Sequence, residues 1–170
     1  SIVNIGVTST VGSLNPLLVG ATEIDKYAAG LQFLPLVELD EDGNFESMLA
    51  ESITTEDNQT FTVTLAQDAV WSDGEKVTAE DLEFTMTRLA SPVIANTAMS
   101  FAVIEGTDDS GFVEEGADTI SGLHVLDERT LEVACKWQMS LVTFKNSYAR
   151  YIMTIPKHVL GEVLEEDLLN

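Results

Sequence analysis

A chain of 170 residues, 45% of them hydrophobic, is long enough to bury a core, and that hydrophobic share excludes an intrinsically disordered polymer. Its 29 acidic residues against 8 Lys and Arg give a formal net charge of −21, which repels phosphate backbones and anionic membrane surfaces and excludes nucleic acid as a partner. The same acidity suits a solvated, soluble surface better than a dedicated cation site.

In chain order, residues 2–7 (IVNIGV) predict a short buried strand, followed by a loop rich in Ser, Thr, Gly and Asn that runs through SLNP at residues 13–16. Ile24, Tyr27, Ala28 and Leu31 recur at helical spacing behind a Thr22 cap, which predicts a helix over residues 22–33 that ends before Pro35. Residues 36–46 (LVELDEDGNFE) predict a strand, a turn at Asp42 and Gly43, and a return strand. The longest apolar window, residues 30–39, is broken by Gln32, Pro35 and Glu38, so it does not read as a membrane span.

Two segments echo one another: DNQTFTV at residues 57–63 and DERTLEV at residues 127–133. Each reads as the second strand of a hairpin, with Ile53 and Val125 in the strands before them. Between them, residues 69–89 (AVWSDGEKVTAEDLEFTMTRL) combine a turn at Asp73 and Gly74, a Thr78 cap whose hydroxyl can accept from the Asp81 amide, and a helix with Leu82, Met86 and Leu89 on one face beside Thr85. Glu80 favours the same helix end, Pro92 stops the helix, and Trp71 is its packing anchor.

Residues 103–121 are rich in Gly and acids and read as a surface loop. Their carboxylates and glycines lack the alternating ligand spacing and terminal Glu of a calcium loop, so no metal is expected. Residues 138–151 predict a helical or irregular apolar segment, residues 151–155 (YIMTI) a short strand, and residues 156–169 a helical pair opened by Pro156 at the first helical position.

Catalytic constellations are not legible. His124 sits at a strand position and His158 at a helix start, without a recognisable motif or an orienting partner, and GxSxG, HExxH and glycine-rich phosphate motifs do not occur. The single Cys135, in the alternating stretch LEVACKW, allows no internal disulfide and reads as a buried, inert thiol. The chain is expected to be no enzyme and to need no cofactor.

Residues 49–92, LAESITTEDNQTFTVTLAQDAVWSDGEKVTAEDLEFTMTRLASP, closely resemble the signature region of the family 5 extracellular solute-binding proteins, the peptide, dipeptide and nickel receptors of ATP-driven importers. The matching residues are Ala50, Glu51 and Ser52, Thr60 and Phe61, Trp71 through Gly74, Thr78 through Asp81, and Arg88 with Leu89. SLNP, ISGLHVLDERTLEV and IPKHVL extend the likeness over nearly the whole chain.

This resemblance implies a mixed α/β (α+β) chain, the N-terminal portion of a type II periplasmic-binding-protein-like fold. Residues 1–45 would begin the first lobe, 46–160 would form most of the small inserted second domain, and 161–170 would return towards the first lobe. It also implies a peptide or other small solute as ligand, ABC permease subunits in the membrane as partners, and a place in the periplasm or, lipid-anchored, on the extracellular face of the cytoplasmic membrane. Any leader would have been removed before Ser1 or left out. An adhesin or peptide-sensing surface protein reusing the fold is the alternative.

Carried over by motif, Gly20, Ala21 and Thr22 would line the cleft with backbone, by a form of strand addition. Asn96, Thr97, Ala98, Met99 and Phe101 would form its second-domain wall. There the chain reads ANTAMSF, without the Tyr that peptide receptors often carry.

Overall fold

The computed structural model describes residues 15–18 and 33–169. The strand expected over residues 2–7, and the helix expected over 22–33 except for Phe33, lie outside the described residues, as do Gly20, Ala21 and Thr22.

The first described hairpin pairs β1 (Val37–Leu39) with β2 (Phe45–Ser47). Its turn closes because the Asp40 carboxylate accepts the amides of Asp42 (2.9 Å) and Asn44 (2.7 Å), while Gly43 takes φ +82, a left-handed conformation that costs glycine little. Both echoed segments form hairpins as expected: β3 (Ala50–Thr54) with β4 (Thr60–Leu65), and β5 (Leu123–Val125) with β6 (Thr130–Ala134). Asp57 and Asp127 head the two turns in the same way, accepting the amides of Gln59 and Thr60, and of Arg129.

The two hairpins are one sheet. β4 and β6 pair antiparallel, Phe61 opposite Val133 and Val63 opposite Leu131, giving the strand order β3-β4-β6-β5. Alternation along β4 and β6 sends Phe61, Val63, Leu65, Leu131 and Val133 to one buried face. Against this sheet lies α1 (Ala79–Leu89), in contact with β5 and β6 through an apolar face that includes Leu82, Met86 and Leu89. A capping box starts α1: Thr78 Oγ1 accepts from the Asp81 amide, and the Asp81 carboxylate accepts from the Thr78 amide at 2.9 Å. The preceding turn is the expected one, with Gly74 at φ +91 and the Asp73 carboxylate accepting the Glu75 amide. Thr85 is fully buried: its hydroxyl donates to the Asp81 carbonyl (2.7 Å) and accepts the Ile155 amide (2.9 Å), so chain packs on both sides of the helix.

After β6, α2 (Leu141–Phe144) opens at a Ser140 cap and widens into a π-helical turn, Lys145–Ala149. Phe144 stacks on Phe61 with centroids 4.2 Å apart and planes 5° from parallel, an arrangement worth about 0.5–1.5 kcal/mol beyond the area it buries. A four-residue α3 (Lys157–Leu160) and a 3-10 turn (Asp167–Leu169) follow.

Three expectations need correction. Residues 151–155 form no strand, although 152–155 are buried, and contribute a single bridge from Met153 to Pro35; a short apolar run fixes burial without fixing a pairing partner. Residues 103–121 are more than a surface loop: Val103, Ile104, Thr107 and Ile120 are core residues, and Ile104 bridges to Cys135 at the end of β6. Gly106, at φ +82, permits that return, since a side chain there would collide with Ser121. Pro156 is the cap of α3 and not its first helical residue. Among the described residues no helix is long and apolar enough to cross a membrane.

Candidate functional site

The stop at Ser91 and Pro92 releases the chain from α1 into a loop that carries the expected second-domain wall. Ser91 is buried; its hydroxyl accepts the Val93 amide and donates to Glu165 at 2.6 Å, while Arg88 meets the same carboxylate at 2.9 Å. Ile94 is buried, and Ala95 then takes φ +48, a left-handed conformation uncommon for a residue with a Cβ.

Asn96 follows, with both ends of its amide in use. Nδ2 donates to the Leu17 carbonyl at 2.8 Å, and Oδ1 accepts from the amides of Ala98 (2.9 Å) and Met99 (3.4 Å). Thr97 is exposed, and Ala98 and Met99 are half-buried. Phe101 is 1% exposed, its ring stacked 5.8 Å from Tyr148; its side chain belongs to the core beneath the loop. Thr97 therefore faces solvent, Ala98 is half-buried, Met99 packs partly against the core, and Asn96 and Phe101 are turned into their support.

An aromatic hydroxyl that the loop's own sequence lacks is supplied from elsewhere. The Tyr148 hydroxyl, at the end of the π-helical turn, donates to the Ser100 carbonyl at 3.0 Å, and burial pushes its pKa up to about 12, so it stays a donor. Nothing local in the sequence announces this contact, although Tyr148 stands four residues after Phe144, at helical spacing on one buried face.

A concavity of about 610 Å³ opens at the N-terminal end of α1 and is lined by Glu75, Lys76, Thr78, Asp81 and His158 among others. His158 has the partner that sequence reasoning missed: its Nε2 lies 2.7 Å from Asp73 Oδ2, across 85 residues of chain. The hydrogen bond to Asp73 raises the His158 pKa above its ordinary value, and the reciprocal bond lowers that of Asp73. Neither a serine nor a cysteine is among the residues that line this concavity. Cys135 is fully buried at the end of the sheet, with its thiol pushed up to about 11 by desolvation first and the nearby Glu105 and Asp57 charges after it, as an inert thiol should be. Among the described residues no group of three or more His, Cys, Asp or Glu could hold a metal ion.

A four-stranded antiparallel sheet flanked by one capped helix, with a tethered loop at the helix's far end, defines a mixed α/β piece of a periplasmic binding protein fold. OppA of Burkholderia pseudomallei superposes with a TM-score of 0.73 at 23% identity, over 92% of this chain and 30% of that one. OppA of Haemophilus influenzae, solved in complex with RPPGFSPFR, superposes with a TM-score of 0.72 at 24% identity, over 90% and 30%. In sequence, the periplasmic oligopeptide-binding protein OppA of Escherichia coli (strain K12) is 32% identical over 130 residues, which is 74% of this chain and 23% of that protein. Residues 44–167 match the family described as bacterial extracellular solute-binding proteins, family 5 Middle, and the chain belongs to that family. The family is one of binding proteins and not of enzymes. The chain spans about a fifth of the length of the curated relatives it matches, 19% and 23% for the MppA and OppA proteins of Escherichia coli.

Proposed function

We propose that this chain is part of the substrate-binding subunit of an ABC-type importer, which captures a peptide or similar small solute in a cleft between two lobes and delivers it to permease subunits in the membrane. The observation that carries the proposal is the family match over residues 44–167, which takes in the whole sheet, α1 and the loop after it. The peptide named in the complex of the Haemophilus influenzae protein supports the ligand class. On this proposal residues 46–160 are the inserted second domain, residues 1–45 and 161–170 belong to the first lobe, and the protein works in the periplasm or tethered outside the cytoplasmic membrane. Thr97, Ala98 and Met99 face the solute from one side, and the backbone of Gly20, Ala21 and Thr22 from the other.

The test is titration calorimetry of the whole gene product carrying this chain against a pool of short peptides, beside uptake of the same labelled peptides by cells with and without the gene. Saturable binding and loss of uptake are expected. Binding without any effect on uptake would favour a surface sensor or adhesin, and no peptide binding at all would overturn the ligand class. The 170 residues alone, about a fifth of the length of their relatives, are expected to bind far more weakly than the whole protein.

A further inference from the structure

We propose that Tyr148 and Asn96 are positioning residues for solute binding: acting from the two ends of the loop after α1, they set the conformation of residues 97–99 before any solute arrives. This rests on the proposal that the chain is part of a solute receptor whose cleft wall is that loop.

Three observations converge on it. First, the loop is tied to segments distant in sequence at both ends. Asn96 Nδ2 reaches the Leu17 carbonyl, 79 residues away, and the Tyr148 hydroxyl reaches the Ser100 carbonyl from 48 residues on the other side. Residues 97–99 lie between those two fixed points. Second, the floor beneath the second tie is rigid. Phe101 and Tyr148 stack, Tyr148 packs on Phe144, and Phe144 stacks on Phe61 of β4, so the Tyr148 ring is keyed into the sheet. Thr107 Oγ1 lies within hydrogen-bonding distance of both the Phe101 and Ile104 carbonyls, which fixes the chain just beyond the loop. Third, Ala95 holds φ +48 immediately before Asn96. A left-handed alanine is sterically disfavoured and persists only where its surroundings over-determine it, a condition the Asn96 ties meet.

The physical consequence is preorganisation. A loop left loose in the free protein must be ordered when solute binds, and that entropy is subtracted from the affinity; a loop already held gives no such loss. The wall so presented carries the Thr97 hydroxyl, the Ala98 methyl and the part of Met99 that the core leaves uncovered, and no charge. It suits the neutral and apolar parts of an extended solute and leaves its charged termini to other groups.

A purely structural Tyr148 would act through its ring, so the decisive variant keeps the ring. Tyr148→Phe removes only the hydroxyl, and Ile53→Val in β3, at the edge of the sheet and outside both loop ties, serves as a control of comparable stability loss. In the whole gene product, Tyr148→Phe is expected to raise the peptide Kd by about two- to tenfold, the value of one hydrogen bond. It is also expected to speed hydrogen exchange of the amides of residues 97–101 in the free protein, whereas Ile53→Val does neither. Asn96→Ala should reproduce both effects from the other end of the loop and stands in should the tyrosine variant fail to fold. An unchanged Kd with unchanged exchange in both loop variants overturns the proposal, as does an Ile53→Val protein that behaves like them. If the parent protein binds no peptide, the ligand class fails, and the exchange measurement still decides whether Tyr148 and Asn96 hold the loop.

Discussion

Asp81 joins three segments through one carboxylate. Oδ2 accepts from the Thr78 amide at 2.9 Å, the Thr78 hydroxyl at 3.3 Å and the Trp71 indole at 3.2 Å, and Oδ1 accepts from the Lys157 amide at 2.8 Å. The side chain lies over the positive end of α1 and the residue is only 4% exposed, so water can do little to replace it. Asp81→Ala therefore removes a cap and strands several part-buried donors at once. The expected loss is about 2–4 kcal/mol, against about 1 kcal/mol for Thr78→Ala, which loses only the hydroxyl half of the capping box. Urea unfolding of the two variants measures the difference. If they proved equally stable, the bonds to Trp71 and Lys157 would be shown to contribute nothing.

At the scale of elements, residues 156–168 run along α1 as a strap with a fastening at each end. Lys157 and His158 hold the helix N-terminus, through Glu80 (3.0 Å) and Asp73 (2.7 Å), and Glu165 holds the C-terminus through Arg88 and Ser91. The His158 fastening titrates. Its pKa is raised by Asp73 first, with Asp81 and Glu75 adding in the same direction, while Glu80, Glu162, Lys76 and Lys157 stand around the same concavity. A raised histidine contributes stability that is full below its unfolded pKa of about 6.5 and is lost as pH rises through the folded value. The lowered carboxylate of Asp73 contributes above its unfolded pKa of about 3.9 and is lost as pH falls through the folded value. Both halves act together between about pH 4 and pH 6.5. NMR titration of the His158 ring is expected to show a pKa above the ordinary histidine value that returns towards it in Asp73→Asn; a His158 that titrates normally in the parent protein would mean that the fastening does not form in solution.

The same elements show what the sequence could and could not tell. Asp73, Gly74, Thr78 and Asp81 announced a turn and a capped helix because those signals are local: a positive φ, and a hydroxyl three residues before an amide. The Asp-headed hairpins were legible for the same reason. That β4 pairs with β6 was not, because alternation decides which face of a strand is buried and not which strand lies beside it. The stretch around Ile104 was hidden by composition, its buried residues scattered among Gly and acids that suggested solvent. Of the candidate site, the loop after α1 was legible by position alone. Its ties at Leu17 and Tyr148, like the partner of His158, come from 48 to 85 residues away, and no spacing pattern reports contacts of that kind.

Across the whole molecule the dominant fact is charge: 29 acidic residues against 8 Lys and Arg. The basic residues within the described segments are all engaged. Lys76, Arg88, Arg129 and Lys157 pair with carboxylates, Lys136 donates to the Thr107 carbonyl, Lys145 lies over the Phe45 ring, and Arg150 bonds Asn146. With so few cations, most carboxylates see mainly other carboxylates, and their mutual repulsion opposes the compact state. Salt screens that repulsion, over about 10 Å at 0.1 M, and it also weakens the ion pairs. The two effects oppose each other, and magnitudes decide between them. Exposed pairs such as Lys76 with Glu128 are worth at most about 1 kcal/mol each, whereas repulsion is summed over an excess of 21 negative charges. Raising NaCl from about 20 mM to about 0.5 M is therefore expected to raise the Tm, read from tryptophan fluorescence, by several degrees. A flat or falling Tm would show that the pairs outweigh the repulsion. Arg88 and Glu165 separate the two contributions further, since their side chains are only 20% and 29% exposed and their contact is screened least. Arg88→Ala should keep its deficit at both salt concentrations, whereas any deficit of Lys76→Ala should disappear at the higher one.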